Sequence, residues 1–336
     1  MFNPNQLIDR LYGPPKTIAD KKLEDFKLKN IPKPEKPKNM VENEFENISF
    51  SEQYDKQLDL LKQTKLIEQL PSGEYGIIGI DKKEYIIPTL DDILQRMNNN
   101  IEKFETKIEQ GFTKLLIVPF AKKLYDPEDN NSLIEIYKKT IADKHNNGKL
   151  LATSGDQLEL DTNEPLWVWK DGYSQSEEGI IYFPKQYDRD NHGGKTKSQL
   201  LQEDNLGFQI LLIEDLPDLP AKDQEKTISG RTQLEAGLTP IQYLEKLAND
   251  PNYQNEQGLT AEAWLTYAIT HLQETNQVID DWKGQGKYCY NLATYFPFSS
   301  DVSGGRWGRD RQQAGLSRVV VSSSDSDRSV RPSVNI

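Results

Sequence analysis

A chain of 336 residues has room for one large domain or two ordinary ones with a real hydrophobic core. Its formal charge of −12, from 53 acidic against 41 basic residues, argues against a nucleic-acid partner, because surplus carboxylates repel the phosphate backbone. One cysteine, Cys289, excludes an intramolecular disulfide framework, and no apolar run approaches the ~18 residues of a bilayer span, so a chain with neither signal peptide nor transmembrane segment is expected, cytoplasmic unless displayed by a route the sequence does not show.

In chain order, residues 1–50 are polar and rich in Pro and Lys, and Ile31-Pro32-Lys33-Pro34-Glu35-Lys36-Pro37 reads as an extended, polyproline-like arm. Residues 51–148 read as a small α+β domain. Helical apolar spacing covers 51–70, and 75–80 with 84–87 around Asp81-Lys82 reads as a hairpin. Thr89 then caps one continuous helix whose apolar face is Ile93, Leu94, Met97, Ile101, Phe104 and Ile108. A short buried strand is expected over 115–120 and an amphipathic helix over 132–143.

From about Lys149 the pattern changes to short strands with aromatic residues, at 166–169, 179–183 and 207–216, followed by two helices. Thr239-Pro240-Ile241-Gln242 is a capping box with Pro at the first helical position. Thr260 caps the second helix, where Ala261, Trp264, Leu265, Ala268, Ile269 and Leu272 form a core-facing stripe. Long irregular excursions are expected after it, closed by a half-buried terminal strand over 330–336, which alternates apolar and polar residues.

The last 38 residues use a different alphabet. Between Ser299 and Ser329, 26 of 31 positions are Ser, Gly, Arg, Val or Asp, interrupted by Trp307, Gln312, Gln313, Ala314 and Leu316, with no Lys or Glu. Six Arg against four Asp give residues 299–336 a net charge of +2, leaving −12 − 2 = −14 on residues 1–298. A disordered Ser/Arg tail would have such a composition, but the lone Trp, the Val319-Val320-Val321 triplet and the alternating ending argue for a folded segment. Randomising both adenines of an AAC or AAT codon yields Ser, Gly, Arg, Val and Asp among its products, and never Lys, Glu, Gln, Met or Trp. Trp307, Gln312 and Gln313 then mark spared codons.

The run Gly305-Arg306-Trp307-Gly308-Arg309-Asp310-Arg311-Gln312-Gln313-Ala314-Gly315-Leu316, followed by Val330-Arg331-Pro332-Ser333-Val334, resembles the variable region of target proteins of diversity-generating retroelements, as found in uncultured minimal-genome bacteria and archaea. The likeness extends to a helix placed over 258–281 and to the 75–89 hairpin. In that family an error-prone reverse transcriptase rewrites adenines in a C-terminal cassette. The resemblance implies a C-type-lectin-like domain over 149–336, related to formylglycine-generating enzymes, with its variable region at about 299–336. It implies a non-enzymatic, monomeric protein, without cofactor or metal, that binds protein or glycan ligands differing from clone to clone.

The variable, ligand-contacting set expected on this basis is Gly305, Gly308, Arg311, Gly315, Ser317, Arg318, Val319, Val320, Ser323, Asp325 and Asp327. The expected scaffold is Trp307, Gln312, Gln313, Leu316 and Arg331, with Trp307 alternatively a binding aromatic. Other chemistry is sparse. His145, His192 and His271 are the only histidines, and His271 lies beside the core stripe. Asp188-Arg189-Asp190-Asn191-His192-Gly193-Gly194 has the look of a calcium loop but lacks its closing acid, with Leu200 and Leu201 at that distance. A formylglycine-generating activity would need a cysteine pair, and only Cys289 is present. An assembly role for the arm and acidic body is the third reading.

Overall fold

A computed structural model describes residues 49–174 and 179–336. The arm expected over 1–50 lies outside the described residues except for Ser49, whose hydroxyl accepts the Glu52 N–H, and Phe50, which opens helix α1 (Phe50–Gln63). Strands β1 (Glu68–Gln69), β2 (Tyr75–Ile78) and β3 (Glu84–Ile86) form a three-stranded antiparallel sheet, followed by α2 (Leu90–Asn98), α3 (Ile101–Glu109), β4 (Lys114–Val118) and α4 (Leu133–Asn146). Then come β5 (Leu166–Val168), α5 (Lys170–Tyr173), β6 (Ile181–Tyr182), β7 (Lys195–Thr196), α6 (Lys197–Glu203) and β8 (Gln209–Ile213). A two-stranded ribbon, β9 (Thr227–Ile228) with β10 (Arg231–Thr232), leads through α7 (Pro240–Asn249) and β11 (Gln257–Gly258) to α8 (Ala261–Thr275). The chain ends in β12 (Asp281–Trp282), β13 (Tyr288–Phe296), β14 (Asp301–Gly308), β15 (Gln313–Val320), β16 (Arg328–Val330) and β17 (Pro332–Asn335).

The fold is α+β, a mixture of helices with a curled, half-barrel sheet. Capping chemistry fixes the helix starts: reciprocal boxes join Thr89 to Asp92, Thr196 to Gln199 and Thr239 to Gln242, and Thr260 caps α8 through the Ala263 N–H. The single helix expected after Thr89 is two, broken at Asn99-Asn100, where Asn100 leaves the helical conformation at φ −141° and ψ 43° within a run of three asparagines, poor helix formers. Likewise, the helix placed over 258–281 is confined to 261–275, where Asn276 ends it in a left-handed conformation, and short strands flank it.

Helix α8 is the axle of the molecule. Instead of one buried stripe, every residue from Ala261 to Leu272 is buried. Helices α1 and α4 and strand β4 cover one side, and β13 and β14 the other. The polar residues on it find partners locally or far along the chain: Thr266 and Thr270 donate to carbonyls four residues back, and Glu262 takes Lys197 at 2.8 Å and the Tyr182 hydroxyl at 2.6 Å.

The division expected at residue 148 does not separate two cores. Strand β4 completes the sheet β11-β17-β8-β4, so a strand of the N-terminal portion pairs with β8, which pairs with the last strand of the chain. One continuous core runs from Phe50 to Val334. The reason lies in the run Leu115-Leu116-Ile117-Val118, buried on both faces, which needs covering layers that the first hundred residues cannot supply alone. The second sheet has the order β5-β15-β14-β13-β6-β7, with β12 beside β14 and β16 beside β13. The chain crosses between the sheets at Arg331. Strand β17, expected half-buried, is buried on both faces up to Val334, and its two edges are paired with β8 and β11.

His271 lies on this helix with neither ring nitrogen partnered among the described residues. Burial pushes its pKa from 6.5 down to about 4, Lys114 and Arg331 push the same way, and Asp215 and Glu274 oppose them. The unfolded chain therefore takes a proton below about 6.5 that the folded chain refuses until about 4. Folding stability is lost as pH falls through that window, by roughly 3 kcal/mol in total. Asp280 works the other way: burial raises its pKa to about 6, against the pull of Arg331, so its contribution declines as pH rises through that value. Because both chains keep Asp280, the difference in Tm between the native chain and His271→Leu isolates the histidine. We expect that difference to favour the variant increasingly from pH 6.5 to pH 4.5, and a pH-independent difference would contradict it.

Candidate functional site

The unusual C-terminal alphabet folds into a regular antiparallel hairpin, β14 with β15, where irregular excursions were expected. The register runs without a slip from Asp301 opposite Val320 to Gly308 opposite Gln313. Alternation puts Trp307, Gly305 and Ser303 with Ala314 and Leu316 on the face toward α8, and Val302, Gly304, Arg306 and Gly308 with Val319, Ser317 and Gly315 on the other. Glycine usually weakens strands, but here rings cover the bare backbone: a Cβ on Gly305 would lie 2.3 Å from the Trp264 ring, and one on Gly304 would lie 2.2 Å from the Tyr288 ring.

Residues outside the five-letter alphabet fall on the inside. Trp307, Ala314 and Leu316 are fully buried, and Gln313 is buried with its amide donating to the Glu164 carbonyl at 3.1 Å. Gln312 is the exception. It is exposed at the hairpin turn with φ +52°, and its carbonyl accepts the Asp161 N–H at 2.8 Å. Trp307, fully buried, cannot reach a ligand, which removes its alternative as a binding aromatic.

The expected contact set splits in two. Arg311 at the turn, Arg318, Val320 and Asp325 are exposed, and Ser323 and Asp327 are half-buried. Gly305, Gly308, Gly315, Ser317 and Val319 are buried, which corrects the expectation of a displayed surface at those five positions. Three causes act: Gly305 abuts Trp264, Gly308 and Gly315 lie beneath the Arg306 side chain, and Ser317 and Val319 point into a second apolar cluster around Tyr288 and Tyr290. A codon pattern carries no record of what packs over a strand.

The tail's arginines are not merely solvated charge. Arg309 forks onto the fully buried Asp281, with Nε at 2.8 Å and Nη2 at 2.7 Å. Arg318 reaches the buried Asp301 at 2.7 Å, and the buried Arg331 reaches Asp280 at 2.8 Å while also donating to the Leu216 and Pro217 carbonyls. Trp264 donates to the other oxygen of Asp280 at 2.8 Å. Arg309→Ser would strip a buried carboxylate of its only cation among the described residues. Water can reach the partly exposed Arg309 side, so we expect a loss of about 2 kcal/mol rather than the 3–5 of a sealed pair. Adding Asp281→Asn should recover part of that loss in denaturant unfolding; strict additivity of the two changes would contradict the pairing.

Two aromatic groups flank the hairpin, and both come from upstream of residue 299. At one edge Trp169 stacks on Phe298, with ring centroids 5.7 Å apart and planes at 17°, and the Arg318 guanidinium lies 4.9 Å from the Trp169 centroid. Phe298 and Val320 beside it are 46% and 49% exposed. On the opposite face Trp282 and Tyr288 meet edge-on at 6.4 Å, and Trp282 donates to Asp327 at 2.6 Å. Sequence reasoning missed these four aromatics, since nothing local to them announces a surface role.

Elsewhere, little chemistry is assembled. One cleft, about 940 Å³, is lined by Lys138, Lys139, Lys144, Asn131 and Pro165 among others, and the Pro165 carbonyl accepts the Ala314 N–H of the hairpin. Among the described residues no three His, Cys, Asp or Glu side chains converge to hold a metal. Asp188 of the calcium-like loop instead accepts the N–H groups of Asp190 and Asn191, which hold it below the usual carboxylate range. Cys289 is buried, and that burial pushes its thiol well above the ordinary range. No described helix is long and apolar enough to cross a membrane. Comparison with protein-family models, curated proteins and solved structures finds no match to this chain.

Proposed function

We propose that this chain is a non-enzymatic binding protein of the C-type-lectin-like class, whose C-terminal hairpin and following loop carry a recognition surface diversified by adenine-directed reverse transcription. One observation carries the reading. Between residues 299 and 329, the exposed positions Ser300, Asp310, Arg311, Arg318, Val320 and the 322–326 loop all use Asn-codon-accessible residues, Gln312 and the half-buried Ser323 aside, while Trp307, Gln313, Ala314 and Leu316 are buried. Variation at these exposed positions, apart from Arg318 with its bond to the buried Asp301, would cost folding little. The pairing of the terminal strand β17 back into the body, beside β8, suits a lectin-like closure. The aromatic and arginine content of the hairpin's edge is that of binding hot spots.

A formylglycine-generating activity is disfavoured because the lone Cys289, buried and kept protonated, offers no accessible thiolate. An assembly role predicts something different from a diversified binder. Chains identical up to residue 298 but carrying other Asn-codon-accessible residues at Arg311, Val320, Ser322, Ser324, Asp325 and Ser326 should select different ligands from one array of cell-surface proteins and glycans. Capture of one common partner by every version would favour assembly and overturn the binder.

A further inference from the structure

Arg306 is a half-buried cation without a carboxylate. Among the described residues it forms no ion pair; its Nη1 donates to Ser317 Oγ at 3.3 Å, and its Nε is buried without a partner. What faces the guanidinium is aromatic: its carbon lies 4.9 Å from the Trp282 ring centroid and 5.0 Å from that of Tyr288. Beneath it the floor is bare, because Gly315 would place a Cβ only 3.3 Å from the guanidinium, and Gly308 one 3.7 Å from Nε. Both rings are fixed by bonds of their own, Trp282 to Asp327 and the Tyr288 hydroxyl to Ser317. Other cations gather on the same rings, with Lys283 Nζ 4.4 Å from Trp282 and the Arg328 guanidinium 5.4 Å from Tyr288.

We propose that Trp282, Tyr288 and the Gly308/Gly315 floor form a slot for an organic cation, a guanidinium or methylated ammonium, which Arg306 fills in this chain. Ring quadrupoles attract such ions, and weakly hydrated, planar or methylated cations gain most because they lose least water. The two ring walls come from upstream of residue 299, whereas residue 306, like the floor glycines and the ring partners Ser317 and Asp327, belongs to the Asn-accessible alphabet. In a version with Ser or Gly at 306 the slot stands open to an arginine or methyl-lysine side chain of a protein ligand. That bearer rests on the binding reading above; the slot itself does not.

The test uses Arg306→Ser in the full chain, with Arg306→Gly as a second variant should the first fold poorly, and methylguanidinium as the probe. The indole N–H of Trp282 is followed by NMR, with N-methylurea as the neutral, isosteric control. We expect saturable, millimolar binding of methylguanidinium to the variant, at least tenfold weaker binding to the native chain, none of N-methylurea, and loss of binding in Arg306→Ser/Trp282→Leu. Equal response of the native chain and the variant, no saturation in either variant, or binding that survives loss of Trp282 would each overturn the slot. None of these results depends on whether the hairpin is diversified, which the swap of exposed residues tests separately.

Discussion

Trp307→Ala is expected to cost about 3–5 kcal/mol of folding stability, the range for truncating a large, enclosed aromatic. The side chain is fully buried on the inner face of β14, opposite Ala314, within the core that surrounds α8. Its backbone N–H donates to the Asp280 carbonyl at 3.0 Å, so the residue also ties the hairpin to the segment bearing the Asp280–Arg331 pair. Alanine would leave a void between two layers that cannot collapse, because β14 is clamped by β15 along its length and, on its other edge, by β13 up to Gly305 and by β12 at Trp307. Denaturant unfolding measures the loss directly, and in a chain of this size it should appear as a fall in Tm of roughly 10 °C. A change below about 1 kcal/mol would mean that Trp307 does not anchor the segment.

Gly305→Asp is expected to be as damaging, although aspartate is one of the alphabet's own residues. A Cβ at 305 falls 2.3 Å from Cε2 of Trp264, a ring that is itself fully enclosed and bonded to Asp280, so neither partner can yield. Overpacking of about 1–3 kcal/mol adds to the burial of an unpaired carboxylate, and the sum should leave little folded protein. The contrast is with the exposed set: replacing Arg311, Val320, Ser322, Ser324, Asp325 and Ser326 together should move Tm by no more than a few degrees, since surface changes fall mostly within ±0.5 kcal/mol each. Soluble expression and Tm of the two variants check this. A well-folded Gly305→Asp chain would contradict the packing described for the hairpin.

These two positions show what the sequence conveyed and what it withheld. Helix starts were legible because capping is local chemistry: Thr239 with Gln242 and Thr260 ahead of its apolar stripe both stand where the residues indicated. The full burial of α8 was not legible, because Glu262 is satisfied by Lys197, far away in the chain, and a threonine that bonds back to its own helix looks like a solvent-facing one. The union of β4 with β8 and β17 was hidden for a similar reason, since pairing across so many residues leaves no periodic trace in either strand. The hairpin itself was masked by composition. Ser, Gly and Arg suggest a loop until the rings of Trp264 and Tyr288, which cover its glycines, are placed beside it.

The alphabet did identify the segment as special, but not which of its residues look outward. That depends on what packs over each position: Arg318 and Val320 share the face of β15 that carries Ala314 and Leu316 yet are exposed, while Ser317 and Val319 on the other face are covered by the cluster around Tyr288 and Tyr290. It also depends on the buried aspartates: Asp281 and Asp301 bind Arg309 and Arg318, so part of the arginine content maintains the fold.

The most direct measurement is to sequence the DNA around the gene for a reverse transcriptase and a near-copy of the stretch encoding residues 299–336. We expect a near-copy whose mismatches lie at adenines in codons of exposed residues such as Arg311, Val320, Ser322 and Asp325, and are absent from those of Gly305, Trp307 and Leu316. No near-copy, or mismatches spread evenly over buried and exposed positions, would contradict it.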